Sequence, residues 1–245
     1  MNKFYYDLHI HSTLSPCGDD DNTPNNILGM AKLCSLDIVA LTDHNTCKNC
    51  PAFFEAAGNY GIIPIAGMEL TTSEDIHVVC LFESLDDALK FDEHVGRHRI
   101  LIKNRPEFFG EQLILDKEDN VIGKEEFLLS NATEISVDEV YSIVSRFGGV
   151  AYPAHVDREA NSITAVLGTV PEDAEFKYYG LHEAKNASLC AQKYNLDKDK
   201  FIISSDAHYL TDMRDAENFF LLDAPRDNPE AVRRELFRLL RGNGQ

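Results

Sequence analysis

Long apolar runs are missing from this 245-residue chain. No stretch approaches the roughly 18 consecutive apolar residues that a membrane-spanning helix requires, so no membrane span and no membrane partner are expected. The opening residues, MNKFYYDLHIHST, also lack the apolar core of a secretory signal peptide. A cytoplasmic location is therefore predicted, with the six cysteines reduced rather than paired in disulfides.

Positive charge is the second deficiency. The chain has 23 Lys and Arg residues against 41 Asp and Glu residues, which gives a formal net charge of −18. Such a surface repels polyanions, so long nucleic acid is not an expected partner unless bound divalent cations reverse the local field. The hydrophobic content of 44% is that of an ordinary globular protein, and the length suits one catalytic domain over residues 1–245.

Short apolar runs alternate with segments of helical periodicity. Thr23 followed by Pro24 predicts the start of one helix, and Ser136 with Glu139 forms a capping-box pattern at the start of another. Strands that alternate with helices predict an α/β fold with a mostly parallel sheet, open or closed into a barrel. The seven strand-like runs are 3–11, 37–44, 61–70, 76–82, 148–155, 177–184 and 201–208.

One segment interrupts this alternation. Residues 105–131 are predicted to form a β-hairpin that turns at Lys117–Asn120, inside an insertion of about residues 97–135. The basic cluster that leads into it (Arg97, Arg99, Lys103 and Arg105) is predicted to be a solvated helix face. Cys47 and Cys50 supply at most half of a zinc site and are assigned a structural role.

Histidines collect at the ends of the predicted strands, and acids accompany them. The carboxyl ends of strands are where α/β sheets and barrels place their active sites. In an extended strand, residues two apart share a face, so His9 pairs with His11 and Asp206 pairs with His208. Imidazoles and carboxylates together favour Zn, Mn or Fe. The strand-end set is His9, His11, His44, His155, His182 and His208, with Asp7, Asp43, Glu69 and Asp206.

Four short motifs together resemble the PHP family, named for polymerases and histidinol phosphatases. They are DLHIHSTLS, ALTDHN, PAH and SDAH, and they extend from residue 7 to residue 208. The resemblance implies a distorted (β/α)7 barrel, here with a β-hairpin insertion. It also implies two or three divalent ions (Zn, Mn or Fe) at the C-terminal face, and hydrolysis of phosphoesters.

The resemblance further implies three sets of metal ligands. The first set is His9, His11, Glu69 and Asp206. Glu69 would bridge to a second ion held by His77 and His155. A third ion would be held by His44, His208 and an acid that follows the first motif.

The first motif departs from the common family pattern. Many members carry the third-site acid directly after the second serine, where this chain has Pro16. Asp19 is the predicted replacement, and Asp20 and Cys17 are the alternatives.

The chemistry expected of such a site assigns roles to further residues. A water molecule activated by the ions that Glu69 and Asp206 bind would attack phosphorus. His208 or His44 would protonate the leaving oxygen. Asp7 and Asp43 would fix imidazole tautomers. The substrate-binding candidates are Arg158, which suits bidentate phosphate recognition, and His182.

Three functions are compatible with this pattern. The first is a metal-dependent phosphoesterase acting on a small phosphorylated substrate: a nucleotide, a short oligonucleotide, or a sugar or amino-alcohol phosphate. The second is a binuclear hydrolase of C–N or C–O bonds, whose signature would be a carbamylated lysine at a strand end, and no lysine stands there. The third is a non-catalytic, metal-stabilised binding module, which would show degenerate ligands. Eight of the nine expected ligand positions are filled outright, which favours an enzyme of the first class.

Overall fold

A curled mixed sheet forms the centre of the molecule. The computed structural model describes residues 1–171 and 174–242. Six strands hydrogen-bond in the order β10-β1-β2-β3-β4-β7, and β5-β6 and β8-β9 form two separate pairs. The strands are β1 (Asn2–Asp7), β2 (Ile38–Leu41), β3 (Ile63–Thr71), β4 (His77–Phe82), β5 (Leu113–Leu115), β6 (Val121–Lys124), β7 (Val150–Pro153), β8 (Tyr179–Leu181), β9 (Phe201–Ile203) and β10 (Phe219–Leu222).

Helices follow most of these strands. Thr23 caps α1 by accepting a hydrogen bond from the backbone N–H of Asn26, and Ser136 and Glu139 form the predicted capping box of α5. Among the described residues, no helix is long and apolar enough to cross a membrane. The helices are α1 (Pro24–Leu33), α2 (Cys50–Ala57), α3 (Leu85–Gly96), α4 (Pro106–Phe109), α5 (Val137–Arg146), α6 (Ile163–Leu167), α7 (Ala187–Tyr194) and α8 (Pro229–Leu240).

The sheet curls, and the β8-β9 pair spans the gap between the segment after β7 and the segment after β1. The backbone N–H of Val156, after β7, donates to the Gly180 carbonyl of β8 at 2.8 Å, and a parallel bridge joins Ile10 to Ala207. The predicted α/β, barrel-like fold is therefore confirmed. A regular succession of seven βα units is not what the sheet shows, because β3 turns directly into an antiparallel β4 with no helix between them. The antiparallel strand β10 beside β1 was not predicted.

Alternate residues of each strand enter opposite apolar layers, as the pleat requires. Val39 and Leu41 of β2 pack in the layer that includes α1, α2, α3 and α5, whereas Ile38 and Ala40 pack in the layer that includes α8. The strands are therefore apolar on both faces, which is typical of a sheet covered by helices.

The predicted hairpin is present as β5 and β6. Its turn is closed by the Asp116 carboxylate, which accepts hydrogen bonds from the backbone N–H groups of Glu118 and Asn120. The basic cluster before it is not a helix face, because α3 ends at Gly96. Arg99 is 9% exposed and lies 3.3 Å from the Glu125 carboxylate, so part of this cluster is buried in ion pairs that hold the insertion together.

Candidate metal centre

The motif residues converge at one edge of the sheet because of where their strands end. His9 and His11 follow β1, His44 follows β2, and His155 follows β7. His77 is the first residue of β4, and because β4 is antiparallel to β3, its start lies at the edge where β3 ends. A histidine at the beginning of one strand therefore reaches the same edge as histidines at the ends of the others.

Five imidazoles surround the carboxylate of Glu69, which is 1% exposed. Its Oε1 lies 3.2 Å from His9 Nε2, 3.1 Å from His77 Nδ1 and 3.2 Å from His155 Nε2. Its Oε2 lies 3.3 Å from His11 Nε2 and 3.2 Å from His44 Nδ1. Burial opposes ionisation of Glu69, but the imidazoles, led by His77 and His9, hold its pKa well below the usual range. Glu69 is therefore an ionised carboxylate at the centre of a nitrogen-rich cluster.

Asp206 connects the cluster to a cation at its rim. Its Oδ1 lies 3.2 Å from His9 Nε2 and 3.3 Å from His11 Nε2, and its Oδ2 lies 3.0 Å from the Arg158 guanidinium. Burial disfavours a charged His11, but Asp206 and Glu69 outweigh it and raise the pKa of His11 to about 10. The two carboxylates thus favour a positive charge beside them, at the Nε2 side of His11.

The unpaired buried atoms and the donor types of the cluster suit metal ions. Within the described ranges, His44 Nδ1, His77 Nδ1 and Asp206 Oδ1 are buried atoms that make no hydrogen bond of acceptable geometry. A buried polar atom without a partner is costly, and a coordinated cation would satisfy all three. Nitrogen and carboxylate donors together suit borderline divalent metals.

Three overlapping ligand groups emerge from the geometry, and the ligand atoms in each lie within 4.8 Å of one another. Each group has at least three members, which is enough to hold an ion that retains an open position. The groups are His9, His11, Glu69 and Asp206; His44, Glu69 and His77; and His11, His44 and His208.

These groups match the predicted sets with two differences. His44, rather than His155, joins Glu69 and His77, although His155 also contacts Glu69. Asp19 is in none of the groups, because its carboxylate accepts the Asp21 N–H at 2.9 Å in a tight turn. Of the alternatives to Asp19, Cys17 lines the cleft above the cluster.

Two of the converging residues have left-handed backbone conformations. Asp206 has φ 53° and His155 has φ 27°, and such values in residues other than glycine concentrate at functional sites. The predicted extended pair of Asp206 and His208 is therefore wrong in its backbone, since β9 ends at Ile203. His208 Nδ1 donates to the Asp206 carbonyl at 2.9 Å, which leaves Nε2 as the ring's lone-pair nitrogen.

A serine links His11 to the buried Asp43. The Ser15 hydroxyl donates to Asp43 Oδ1 at 2.7 Å and lies 2.9 Å from His11 Nδ1. Because the only hydroxyl proton goes to Asp43, the His11 ring must donate from Nδ1, and its Nε2 faces the carboxylates as a ligand atom. Asp43 therefore acts on His11 through Ser15, whereas the Asp7 carboxylate accepts backbone N–H groups of His9 and Ser205.

A cleft of about 420 Å³ opens above the cluster, with Arg158 and His208 among the residues that line it. Burial and the nearby His11 lower the pKa of His208 to about 4. A neutral ring favours a ligand role for His208 over the predicted role of proton donor.

The predicted substrate contact His182 lies behind Arg158, between two guanidinium groups. Arg158 Nη2 is 3.3 Å from its Nδ1, and Arg214 Nη2 is 3.2 Å from its Nε2. Burial and then the two arginines lower the pKa of His182. Arg214 was missed by the sequence analysis, because no strand-end pattern marks a residue six positions beyond His208.

Comparison with known proteins identifies the family. The PHP domain model matches residues 7–183. The chain belongs to the PHP domain family. A Methanocaldococcus jannaschii protein of uncharacterised function is 33% identical over 100 residues, a match that covers 37% of this chain and 58% of the relative.

Two solved structures share the fold of this PHP domain protein. Endonuclease Q, a lesion-specific endonuclease of Pyrococcus furiosus, superposes with a TM-score of 0.61 and 16% identity over 99% of this chain and 57% of its own. A Chromobacterium violaceum amidohydrolase with bound sulfate and no metal gives 0.58 and 18% over 97% of this chain and 96% of its own. The chain thus spans little more than half of the first of these neighbours.

Proposed function

We propose that this protein is a metal-dependent phosphoesterase that hydrolyses a small phosphorylated substrate. The observation that carries the proposal is the placement of Arg158. Its guanidinium lies at the mouth of a buried histidine and carboxylate cluster, 3.0 Å from Asp206. A phosphoryl group in the cleft would therefore meet the ligand cluster on one side and a fork of N–H donors on the other.

The residues of the site have different roles in the proposed reaction. When bound, divalent ions lower the pKa of a water molecule and neutralise charge on phosphoryl oxygens. Glu69 and Asp206, together with the surrounding imidazoles, would hold those ions, and the two carboxylates would orient the attacking water. Arg158 binds the phosphoryl oxygens, and His182, 3.3 Å from its guanidinium, holds the Arg158 side chain in place. Arg214 in turn holds His182 by donating to its carbonyl.

The prediction that long nucleic acid is not a partner loses its support. Endonuclease Q, which shares this fold, has been solved with a 27-mer duplex carrying an abasic lesion at its active site. The net charge of −18 alone therefore does not exclude nucleic acid as a partner. Divalent ions bound at a metal site reverse the sign of the local electrostatic field there. Phosphodiesters of DNA belong in the substrate panel beside phosphomonoesters.

Hydrolysis of C–N bonds is the less supported alternative. The amidohydrolase neighbour has the same fold, but in its structure it holds a sulfate, which has the tetrahedral shape of phosphate. The described lining of the present cleft includes Arg158 and no lysine that could be carbamylated. This lining favours phosphoester chemistry.

The test is turnover by protein loaded with Mn²⁺ or Zn²⁺. The panel is p-nitrophenyl phosphate, bis-p-nitrophenyl phosphate, nucleotides, histidinol phosphate, a 5′-phosphorylated oligonucleotide and an abasic duplex, with an anilide and a lactone for the alternative. We expect phosphoester hydrolysis that falls more than about 100-fold in His9→Ala and Asp206→Ala, since even outer partners of metal ligands contribute 10- to 100-fold.

His98→Ala is the matched control, because His98 lies outside the ligand groups and donates to the His94 carbonyl. It should retain full activity and bound metal. Turnover of the anilide or the lactone alone by metal-loaded protein would overturn the proposal, and so would no turnover at all.

A further inference from the structure

A second cavity adjoins the metal cleft. It has a volume of about 540 Å³, within the range of roughly 300–1,000 Å³ typical of small-molecule sites, and residues of α6 and α7 contribute to its walls. Arg158 and Glu159 line both cavities. The side chain that reaches Asp206 is therefore also the boundary between the metal cleft and the second cavity.

The walls of the second cavity combine an aromatic ring, a cation and apolar surface. Lys193 and Tyr194 both line it, and the Lys193 ammonium lies 4.8 Å from the centre of the Tyr194 ring. Leu189, also in the lining, is 64% exposed. On the neighbouring α6, the exposed Ala165 is also in the lining. A flat, partly apolar group that stacks on an aromatic ring and tolerates a nearby cation fits such walls, and a nucleobase is such a group.

Two acids line this cavity, Asp157 and Glu159, and Asp157 is already engaged. Asp157 accepts hydrogen bonds from the backbone N–H groups of His182 and Glu183, at 2.8 and 3.0 Å, and from Asn186 Nδ2 at 2.9 Å. Its carboxylate therefore holds the segment after β8 rather than facing a ligand. Glu159 also lines the metal cleft and so lies at the boundary between the two cavities, which leaves Lys193 as the charged group beside a neutral base.

We propose that the second cavity binds the leaving group of the substrate and that this group is a nucleoside. The inference rests on the proposed phosphoesterase function and narrows it, because the substrate becomes a nucleotide. Its phosphate lies on Arg158, at the boundary, and its base stacks against Tyr194 in the second cavity. A sugar phosphate or a simple alcohol phosphate would leave the aromatic and apolar walls without a partner.

The first test compares two substrates in metal-loaded protein, AMP and glycerol 3-phosphate, which differ in the presence of a base. Stacking on an aromatic side chain contributes about 1–3 kcal/mol, so Tyr194→Leu should lower the ratio of the two kcat/KM values about 10-fold, mainly through KM for AMP. Tyr60→Leu is the control, since Tyr60 lies elsewhere and contacts Asn25. The ratio should stay at the wild-type value in that variant.

The second test measures adenosine binding by calorimetry, independently of turnover. We expect saturable binding that Tyr194→Leu weakens. Adenosine binding without hydrolysis of any phosphoester would support the nucleoside cavity and overturn the proposed function. An unchanged substrate ratio together with absent adenosine binding would overturn the cavity assignment, as would a preference for histidinol phosphate over AMP that depends on Tyr194.

Discussion

At the scale of single residues, the hydrogen-bond partners of the candidate ligands determine how those ligands are oriented. His11 faces the carboxylates with Nε2 because its Nδ1 is committed to Ser15, whose hydroxyl is in turn committed to Asp43. Asp43 also accepts the backbone N–H and the hydroxyl of Ser12, each at 2.7 Å. One buried acid therefore fixes both the loop that carries His11 and the tautomer of its ring.

Removal of this link should cost activity without unfolding the protein. Ser15→Ala leaves His11 Nδ1 without its acceptor, so we expect turnover and metal affinity to fall about 10- to 100-fold. Metal titration and kcat/KM measure the two effects. Ser73→Ala, in an exposed turn, is the control and should match the wild type. Equal losses in both variants would contradict the role of Ser15.

The sequence was sufficient to predict the candidate ligands, but it was not sufficient to predict the residues that position them. His9, His11, Glu69 and Asp206 were predictable because strand ends and motifs mark them. Asp19 stays a prediction: it is in none of the ligand groups, and its carboxylate accepts the backbone N–H of Asp21, a local hydrogen bond that the motif does not reveal. Arg214 was missed because a rim arginine follows no periodicity and is placed by tertiary contacts with His182 and Glu183.

At the scale of elements, the insertion is fastened to the loops that carry the ligands. Leu113 of β5 donates its backbone N–H to the Thr13 carbonyl at 2.9 Å. A Cβ on Gly110, which has φ +89°, would meet the Pro16 carbonyl oxygen at 2.6 Å. The hairpin was predictable from its turn residues. Its attachment was not, because it depends on contacts about 100 positions apart.

An ion-pair cluster should make the stability of this attachment depend on pH. Glu125, 9% exposed, pairs with Lys48 and with Arg99. Burial alone would raise its pKa, but Lys48 and then Arg99 outweigh burial and lower the pKa below 4.5. A depressed folded-state pKa means that the stabilisation is present above about pH 4.5 and is lost as pH falls through the folded-state pKa.

Glu125→Gln should therefore lower the free energy of unfolding by about 2 kcal/mol at pH 7, because it leaves Arg99 with a neutral partner. The difference from wild type should shrink as the pH falls below 4.5 and Glu125 protonates. Urea unfolding at pH 7 and at a series of lower pH values measures this. Glu126→Gln is the adjacent control, since Glu126 is 64% exposed beside Lys103, and it should change stability by less than about 1 kcal/mol. A pH-independent difference would contradict the assignment.

At the scale of the whole molecule, the ligands tie together segments that are far apart in sequence. The three ligand groups together draw on loops after β1, β2 and β9 and on residues of β3 and β4, so the binding energy of ions held there would add to the stability of the fold. Metal at about 100 times its Kd contributes about 2.7 kcal/mol.

Addition of Mn²⁺ or Zn²⁺ at that level should raise the melting temperature by roughly 5–10 °C for a chain of this size. His9→Ala should lose most of the rise, and His98→Ala should keep it. Calorimetric scans with and without metal measure the shift. A rise of the same size in His9→Ala would place the bound metal outside the ligand group that contains His9.

The order of the ligands along the chain has a consequence for synthesis. One ligand group, His44, Glu69 and His77, lies within 34 consecutive positions, whereas the other two groups need Asp206 or His208. At elongation rates of about 5–20 residues per second, the chain spends on the order of 10 s between His77 and Asp206. During that interval a nascent chain holds one potential metal-binding group without the other two. The first ion is therefore able to bind while the protein is still on the ribosome, and the other two ligand groups form only after the last motif has emerged.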